Sequence, residues 1–131
     1  MFSEKERDYL KTQRLARIAT VSADGQPDVA PVNFEFDGEH FYVGGLTITR
    51  TFKYKNVLKN PRVSIVVDDY ENANPWRPRG LKAHGTADIV SGQGRLMPGE
   101  NIRIKPEKSW SWGIEEPAII DGKPKLKKSG P

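Results

Sequence analysis

Apolar and polar positions along this chain alternate with two different periods, and each change of period marks an element. Ser3-Glu4-Lys5-Glu6 fits a capping box, in which a serine hydroxyl takes one free helix amide and a glutamate three residues on bonds back to the serine amide. A helix over residues 4–13 follows, with Tyr9 and Leu10 turned inward. From Leu15 the period becomes two. Leu15, Arg17, Ala19 and Val21 alternate with Ala16, Ile18 and Thr20, and because both sets are largely apolar this strand is expected to be covered on both faces. Ala23-Asp24-Gly25-Gln26-Pro27 reads as a hairpin turn, Asp-Gly supplying the positive backbone angles such turns need. A second strand over 28–36, a tight turn at Asp37-Gly38-Glu39 and a third strand over 40–45 complete what reads as an antiparallel meander.

Helical spacing returns over residues 51–59, with Phe52, Val57 and Leu58 as the inward set, and Asn60-Pro61 stops it because a residue before proline avoids the helical region. A fourth strand over 62–68 has an unbroken apolar centre. A loop over 69–78, a long fifth strand over 79–90, turns at 91–94 and 97–99 and a sixth strand over 101–112 complete the pattern. Pro106 lies inside that last strand and places it at an edge or a bulge. The expected fold is mainly β: a small barrel of six mostly antiparallel strands, with an N-terminal helix and one helix between the third and fourth strands. Side chains fill a barrel of that size, so a ligand would lie on its outside or between two copies.

The 131 residues suffice for one domain with a core. Charge divides the chain in two. Residues 122–131 hold four lysines and no acid, whereas residues 1–121 balance 17 basic against 17 acidic side chains. The first 121 residues are therefore expected to form the barrel and the last ten a solvated, mobile basic tail. A balanced body argues against a nucleic-acid partner, which would call for a basic face on the folded domain. Cysteine is absent, which excludes a disulfide framework, a thiolate nucleophile and a cysteine metal site. No apolar run has the length of a membrane span, and the charged N-terminus lacks a signal core, so the expected location is cytoplasmic.

Few residues offer chemistry of their own. His40 and His84 have no His, Asp or Glu at metal-ligand spacing, so no metal is expected. Asp68-Asp69 reads as a solvated turn. There is no Gly-x-Ser-x-Gly elbow, Walker loop or Gly-x-Gly-x-x-Gly fingerprint. Two features remain. Thr51-Phe52-Lys53-Tyr54-Lys55-Asn56-Val57 puts two cations and an amide at a helix start, where free N–H groups and the helix dipole favour an anion. Lysines there oppose the dipole, so they are either held out in water or aimed at a bound anion. Trp76, Trp110 and Trp112 are the only tryptophans; Trp110 and Trp112 share one strand face and suit core, a dimer contact or a wall for a flat ring.

Arg17-Ile-Ala-Thr-Val-Ser-Ala-Asp-Gly-Gln-Pro-Asp-Val-Ala-Pro-Val32, followed by Thr51-Phe-Lys-Tyr-Lys-Asn-Val-Leu-Lys-Asn-Pro-Arg-Val-Ser-Ile-Val-Val-Asp-Asp69, resembles the pyridoxamine 5′-phosphate oxidase-like split β-barrel superfamily. The segments PWRPRGLKAHGTAD and IRIKPEKSWSWG look like a branch described as probable F420-dependent oxidoreductases. The likeness runs from about residue 15 to 113. It implies a homodimer with two cofactor sites between subunits, hydride transfer to or from an unidentified small molecule, and coenzyme F420, with FMN as the alternative cofactor. In that family a Ser/Thr-Arg-Lys run at a helix start holds the cofactor phosphate. Thr51, Lys53, Lys55 and Asn56 match it, but Phe52 stands at the arginine position, with Arg50 next to the run as a substitute. Thr20 and the segment Pro31-Val32-Asn33 match strands that run beside the ring, and Trp76 and Trp112 would close the site. The likeness names no catalytic side chain. A second departure is the connection over 91–100, too short for the helix that relatives often carry there. These departures keep a non-catalytic flavin- or haem-binding protein as the other reading.

Overall fold

The computed structural model describes residues 1–92 and 98–131. The capping box forms as the sequence predicts: Ser3 Oγ accepts from the Glu6 amide and Glu6 answers at the Ser3 amide, opening α1 (Glu4–Lys11). There follow β1 (Leu15–Val21), β2 (Pro27–Asn33), β3 (Glu35–Phe36) and β4 (Phe41–Val43), then a 3-10 turn over Ile48–Arg50 that leads into α2 (Phe52–Lys59). Three long strands come next, β5 (Arg62–Asn72), β6 (Arg77–Ser91) and β7 (Glu100–Trp112). Three short ones end the chain: β8 (Ile119–Ile120), β9 (Lys123–Pro124) and β10 (Lys127–Ser129).

The main sheet is antiparallel, in the order β2-β1-β5-β6-β7-β4-β3, with β10 also on β7. Phe34 alone separates β2 from β3, yet β2 pairs with β1 at one edge while β3 pairs with β4 at the other. The two edges therefore meet at Phe34, and the sheet curls into a half-barrel. Its inside holds Ile18, Phe34, Phe41, Val43, Ile65, Val67, Leu81, Ile102 and Ile104, capped by Leu10 from α1 and Val57 from α2. This is the mainly β barrel that the pattern predicts, in the split form that the family resemblance implies.

Several details differ. The first three strands are not a meander, because the second breaks at Phe34 and the third pairs with the sixth: Phe41 lies opposite Ile104. That break and the short C-terminal strands raise the number of segments above six. β1 buries only Ala16, Ile18 and Thr20, while Arg17, Ala19 and Val21 are half-buried, so one of its faces remains open. On α2, Val57 is inward, but Phe52 is 72% and Leu58 62% exposed; buried Asn56 takes the inward place instead. Residues 69–78 are mostly strand, since β5 and β6 extend to a short turn. Asp68 and Asp69 are not a solvated turn either. Asp68 pairs with Arg17 at 2.6 Å, and Asp69 accepts two bonds from Arg79 and one each from Tyr9 and Gln13, which fastens α1 to β5 and β6. Of the turns expected at 91–94 and 97–99, residues 93, 94 and 97 lie outside the described residues.

Pro106 marks a bulge, as expected. Gly85 faces Pro106 and His84 faces Lys108, so Glu107 is an extra residue with no opposite number. Here a glycine is required: a Cβ at Gly85 would collide with the Lys105 carbonyl. The bulge inverts the alternation of β7. Ile102 and Ile104 point inward before it, and Ser109 and Ser111 after it.

Of the four C-terminal lysines, Lys123, Lys125 and Lys128 are exposed, while Lys127 is held against the body. β10 pairs with β7, Lys127 opposite Ser111. Lys127 Nζ lies 3.0 Å from Glu6 Oε1, and Ser111 Oγ donates to Glu6 Oε2 at 2.5 Å. Glu6 is 1% exposed. Burial alone would raise its carboxyl pKa, but the Ser111 hydroxyl, the Ser3 amide and Lys127 outweigh it and hold the group below its usual 4.5. Such a carboxylate contributes stability above its unfolded value and loses it as pH falls through the folded one. Lys127→Met is expected to cost about 1–2 kcal/mol, because a hydrogen bond to a charged group is worth about 1.5–3 kcal/mol and this lysine is partly in water. In urea unfolding the difference between Lys127→Met and the parent should hold near neutral pH and shrink as pH falls below the usual 4.5 of a glutamate and through the lower folded value of Glu6.

Candidate functional site

Thr51 caps α2: its hydroxyl accepts from the Tyr54 amide at 3.3 Å and donates to the Ile48 carbonyl at 2.6 Å. A helix has no internal acceptors for its first amides, so those of Phe52 and Lys53 face outward from this end. Lys53 is half-buried. Burial pulls its ammonium pKa down, and the Asp28 carboxylate on β2 works the other way. Lys55 is exposed. Residues two apart do not share a helix face, so the two ammonium groups diverge and only Lys53 leans toward the strands. Asn56 is buried, and its side-chain amide donates to Thr20 Oγ1 at 3.0 Å, a bond that ties α2 to β1. The structure thus brings Thr20, Thr51, Lys53 and Asn56 together around one end of α2.

Arg50, Pro31 and Asn33 are exposed, whereas Val32 is turned into the core. Trp76 lies elsewhere. The Ala87 amide bonds to the Pro61 carbonyl just beyond α2, whereas Trp76 immediately precedes Arg77. The strand from Arg77 to Ala87 spans roughly 30 Å at about 3.3 Å per residue. Trp76 lines its own cleft of about 660 Å³ with Pro75, Pro78, Ile114 and Ile119. Trp112 packs on Gly80, near that same far end. Within this chain neither tryptophan reaches α2.

The open outer face of the sheet carries two cross-strand rows. One reads Lys108–His84–Ser64–Ala19–Val29 and the other Trp110–Lys82–Val66–Arg17–Pro31. A groove of about 270 Å³, lined by Ala19, Thr20, Val21, Arg62, Ser64 and His84, runs from the Thr20 end of that face to His84. Sequence reasoning missed the cluster of Trp110, Lys82 and Lys108 around His84. Its signal is the alternation in Lys82-Ala83-His84 and Lys108-Ser109-Trp110, which can be read only once the bulge sets which parity points outward. Among the described residues no three or more His, Asp or Glu side chains gather as a metal site, and no helix is long and apolar enough to cross a membrane.

A half-barrel sheet with a capped helix end over its first strand is the frame of a split-barrel protein. Residues 2–111 match the family described as Pyridoxamine 5′-phosphate oxidase, and this chain belongs to that family. A curated relative, the 5a,11a-dehydrotetracycline/5a,11a-dehydrooxytetracycline reductase of Streptomyces rimosus, is 41% identical over 120 residues, covering 87% of this chain and 84% of that protein. The solved structure of an F420 reductase is 26% identical with a TM-score of 0.65, covering 82% of this chain and 98% of that one. HutZ, the haem storage protein of Vibrio cholerae, shares the fold at 20% identity, with a TM-score of 0.62 over 82% of this chain and 92% of that one. The chain is thus similar to oxidoreductases of this family.

The Thr20–Asn56 bond is open to a direct check. Thr20→Val keeps the shape and removes the acceptor, leaving a buried amide unsatisfied, and is expected to cost about 1–3 kcal/mol in urea unfolding.

Proposed function

We propose that this protein is an oxidoreductase that uses a deazaflavin or flavin cofactor, coenzyme F420 before FMN, and that it works in the cytoplasm as a homodimer with the cofactor in clefts between subunits. The carrying observation is the reductase relative at 41% identity over most of both chains. The F420 reductase neighbour supports the choice of cofactor.

The residues present fit such a group in part. Lys53 is a partly desolvated cation beside the outward amides of α2, a setting that suits an ester phosphate. Thr51 fixes that turn and Asn56 holds it on β1. Lys55 and Arg50, both exposed, are available to acidic groups further out. Phe52, also exposed, contributes no charge. Pro31 and Asn33 stand on the open side of β2. When bound, the cofactor ring supplies the hydride chemistry, while the chain binds, orients and excludes water.

One protomer does not enclose such a molecule. Sites that bury most of a small ligand measure about 300–1,000 Å³, and the groove beside Thr20 is smaller than that. A second copy on the outer face would deepen it and cover Val29, 68% exposed, and Leu15, 46% exposed. It would also offer a route for Trp76 and Trp112 of one protomer to approach α2 of the other.

The deciding experiment titrates purified protein with F420 and FMN side by side, by absorbance or fluorescence, with sedimentation on the same samples. F420 is expected to bind more tightly, and the protein to sediment as a dimer. Lys53→Ala is expected to weaken binding by ~1.5–3 kcal/mol, the range for a hydrogen bond to a charged group. An unchanged affinity would remove the phosphate assignment. Tight binding with no turnover of any electron acceptor would favour the non-catalytic reading, to which the neutral, exposed Phe52 lends support.

A further inference from the structure

Three arginines on this sheet have carboxylate partners. Arg17 pairs with Asp68, Arg79 with Asp69 and Arg103 with Asp88. One patch of the outer face gathers cations that have none around an indole ring. His84 stands directly opposite Lys108, and Lys82 directly opposite Trp110. The His84 ring meets Trp110 edge-on, with centroids 4.7 Å apart; Lys82 Nζ lies 4.8 Å and Lys108 Nζ 5.4 Å from the centre of the indole. Among the described residues neither lysine has a carboxylate within 4.0 Å, and nor does Arg62, which stands beside them on β5. Burial, Lys82, Lys108 and Arg62 all depress the His84 pKa.

Lys82 and Lys108 are diagonal neighbours on one face, and like charges crowded together on a sheet face repel. An aromatic ring tempers that repulsion through cation–π contact but does not neutralise it. An anion would. The ring also offers a surface for stacking, and lysine ammonium groups on flexible stems can turn from the indole to an incoming carboxylate. Through His84 the patch meets the groove that also takes in Thr20, Arg62 and the bulged Glu107. We propose that Trp110, Lys82, His84 and Lys108 form the substrate-binding face, and that the substrate is a flat ring compound bearing a carboxylate or similar anionic oxygen group. The word substrate rests on the oxidoreductase reading; the ligand class rests on the patch itself.

The test uses the full chain without cofactor and 2-naphthoate as probe. Two controls carry half of its chemistry each: naphthalene-2-methanol the ring, acetate the charge. The readouts are the Trp110 indole N–H and His84 ring signals in NMR. 2-Naphthoate is expected to move both signals and to bind about tenfold more tightly than either control, the factor that about 1.4 kcal/mol confers. Lys82→Gln and Lys108→Gln should each weaken 2-naphthoate severalfold and leave naphthalene-2-methanol unchanged. Trp110→Leu should weaken both ring compounds. The proposal is overturned if acetate matches 2-naphthoate, if the shifts fall on Trp76 instead, or if the glutamine variants alter thermal stability but not affinity. Should F420 and FMN both fail to bind while 2-naphthoate binds here, the oxidoreductase reading falls and the planar-anion site stands. Should a cofactor bind and 2-naphthoate not, only this inference falls.

Discussion

One extra residue in β7 decides what both faces of the sheet present. Glu107 has no opposite number on β6, and from there onward the alternation of β7 is inverted. The inversion needs a glycine at position 85, because the bulged backbone comes too close for a side chain. Beyond it Ser111 faces inward, where the Glu6 carboxylate from α1 meets it, while Lys108, Trp110 and Trp112 face outward. Without the bulge a tryptophan would face α1 and serines would line the open face. The anchoring of α1 and the chemistry of the outer surface have one geometric origin.

The inner and outer faces then do different work. Inside, aliphatic side chains and Phe34, where the two sheet edges meet, hold the curl. At the mouth of the curl the Thr20–Asn56 bond seats α2, so the charged end of that helix is fixed relative to β1 and β2. Outside, polar and cationic groups are arrayed in cross-strand rows, and a shallow groove joins His84 to the β1 residues Ala19, Thr20 and Val21. The division suits a redox role in which a bound ring performs the reaction and the polypeptide supplies position and field.

Much of the fold could be read in the chain. Both helices, the first hairpin and the three long strands follow from the period of the apolar residues, the capping box and Asn60-Pro61. Other features could not be read that way. The break at Phe34 leaves no mark in the alternation, since the apolar run continues through it; only the pairing of Phe41 with Ile104 reveals that the chain has changed edges. Phe52 and Leu58 look like inward residues of a helix, but hydrophobicity alone gave buried Asn56 no weight, because its value comes from a partner 36 positions earlier. At the candidate site the lysines at the start of α2 are visible as a motif, yet their divergence follows from helix geometry and the burial of one of them. The cations around Trp110 were hidden by a parity change that Pro106 announces without fixing. The basic C-terminus looked solvated by composition because its lysines have no local acids; Lys127 finds its carboxylate near the opposite end of the chain.

That last contact has a consequence for how the parts of the fold depend on one another. The Glu6 carboxylate is separated by 105 positions from Ser111 and by 121 from Lys127. Until β7 and β10 join the sheet, the one partner Glu6 has is the Ser3 amide of its own capping box. Seating α1 beneath the sheet without those strands would leave a buried carboxylate short of partners. Docking of the helix and closure of the curl are therefore coupled through a single acidic group whose mates lie more than a hundred positions away.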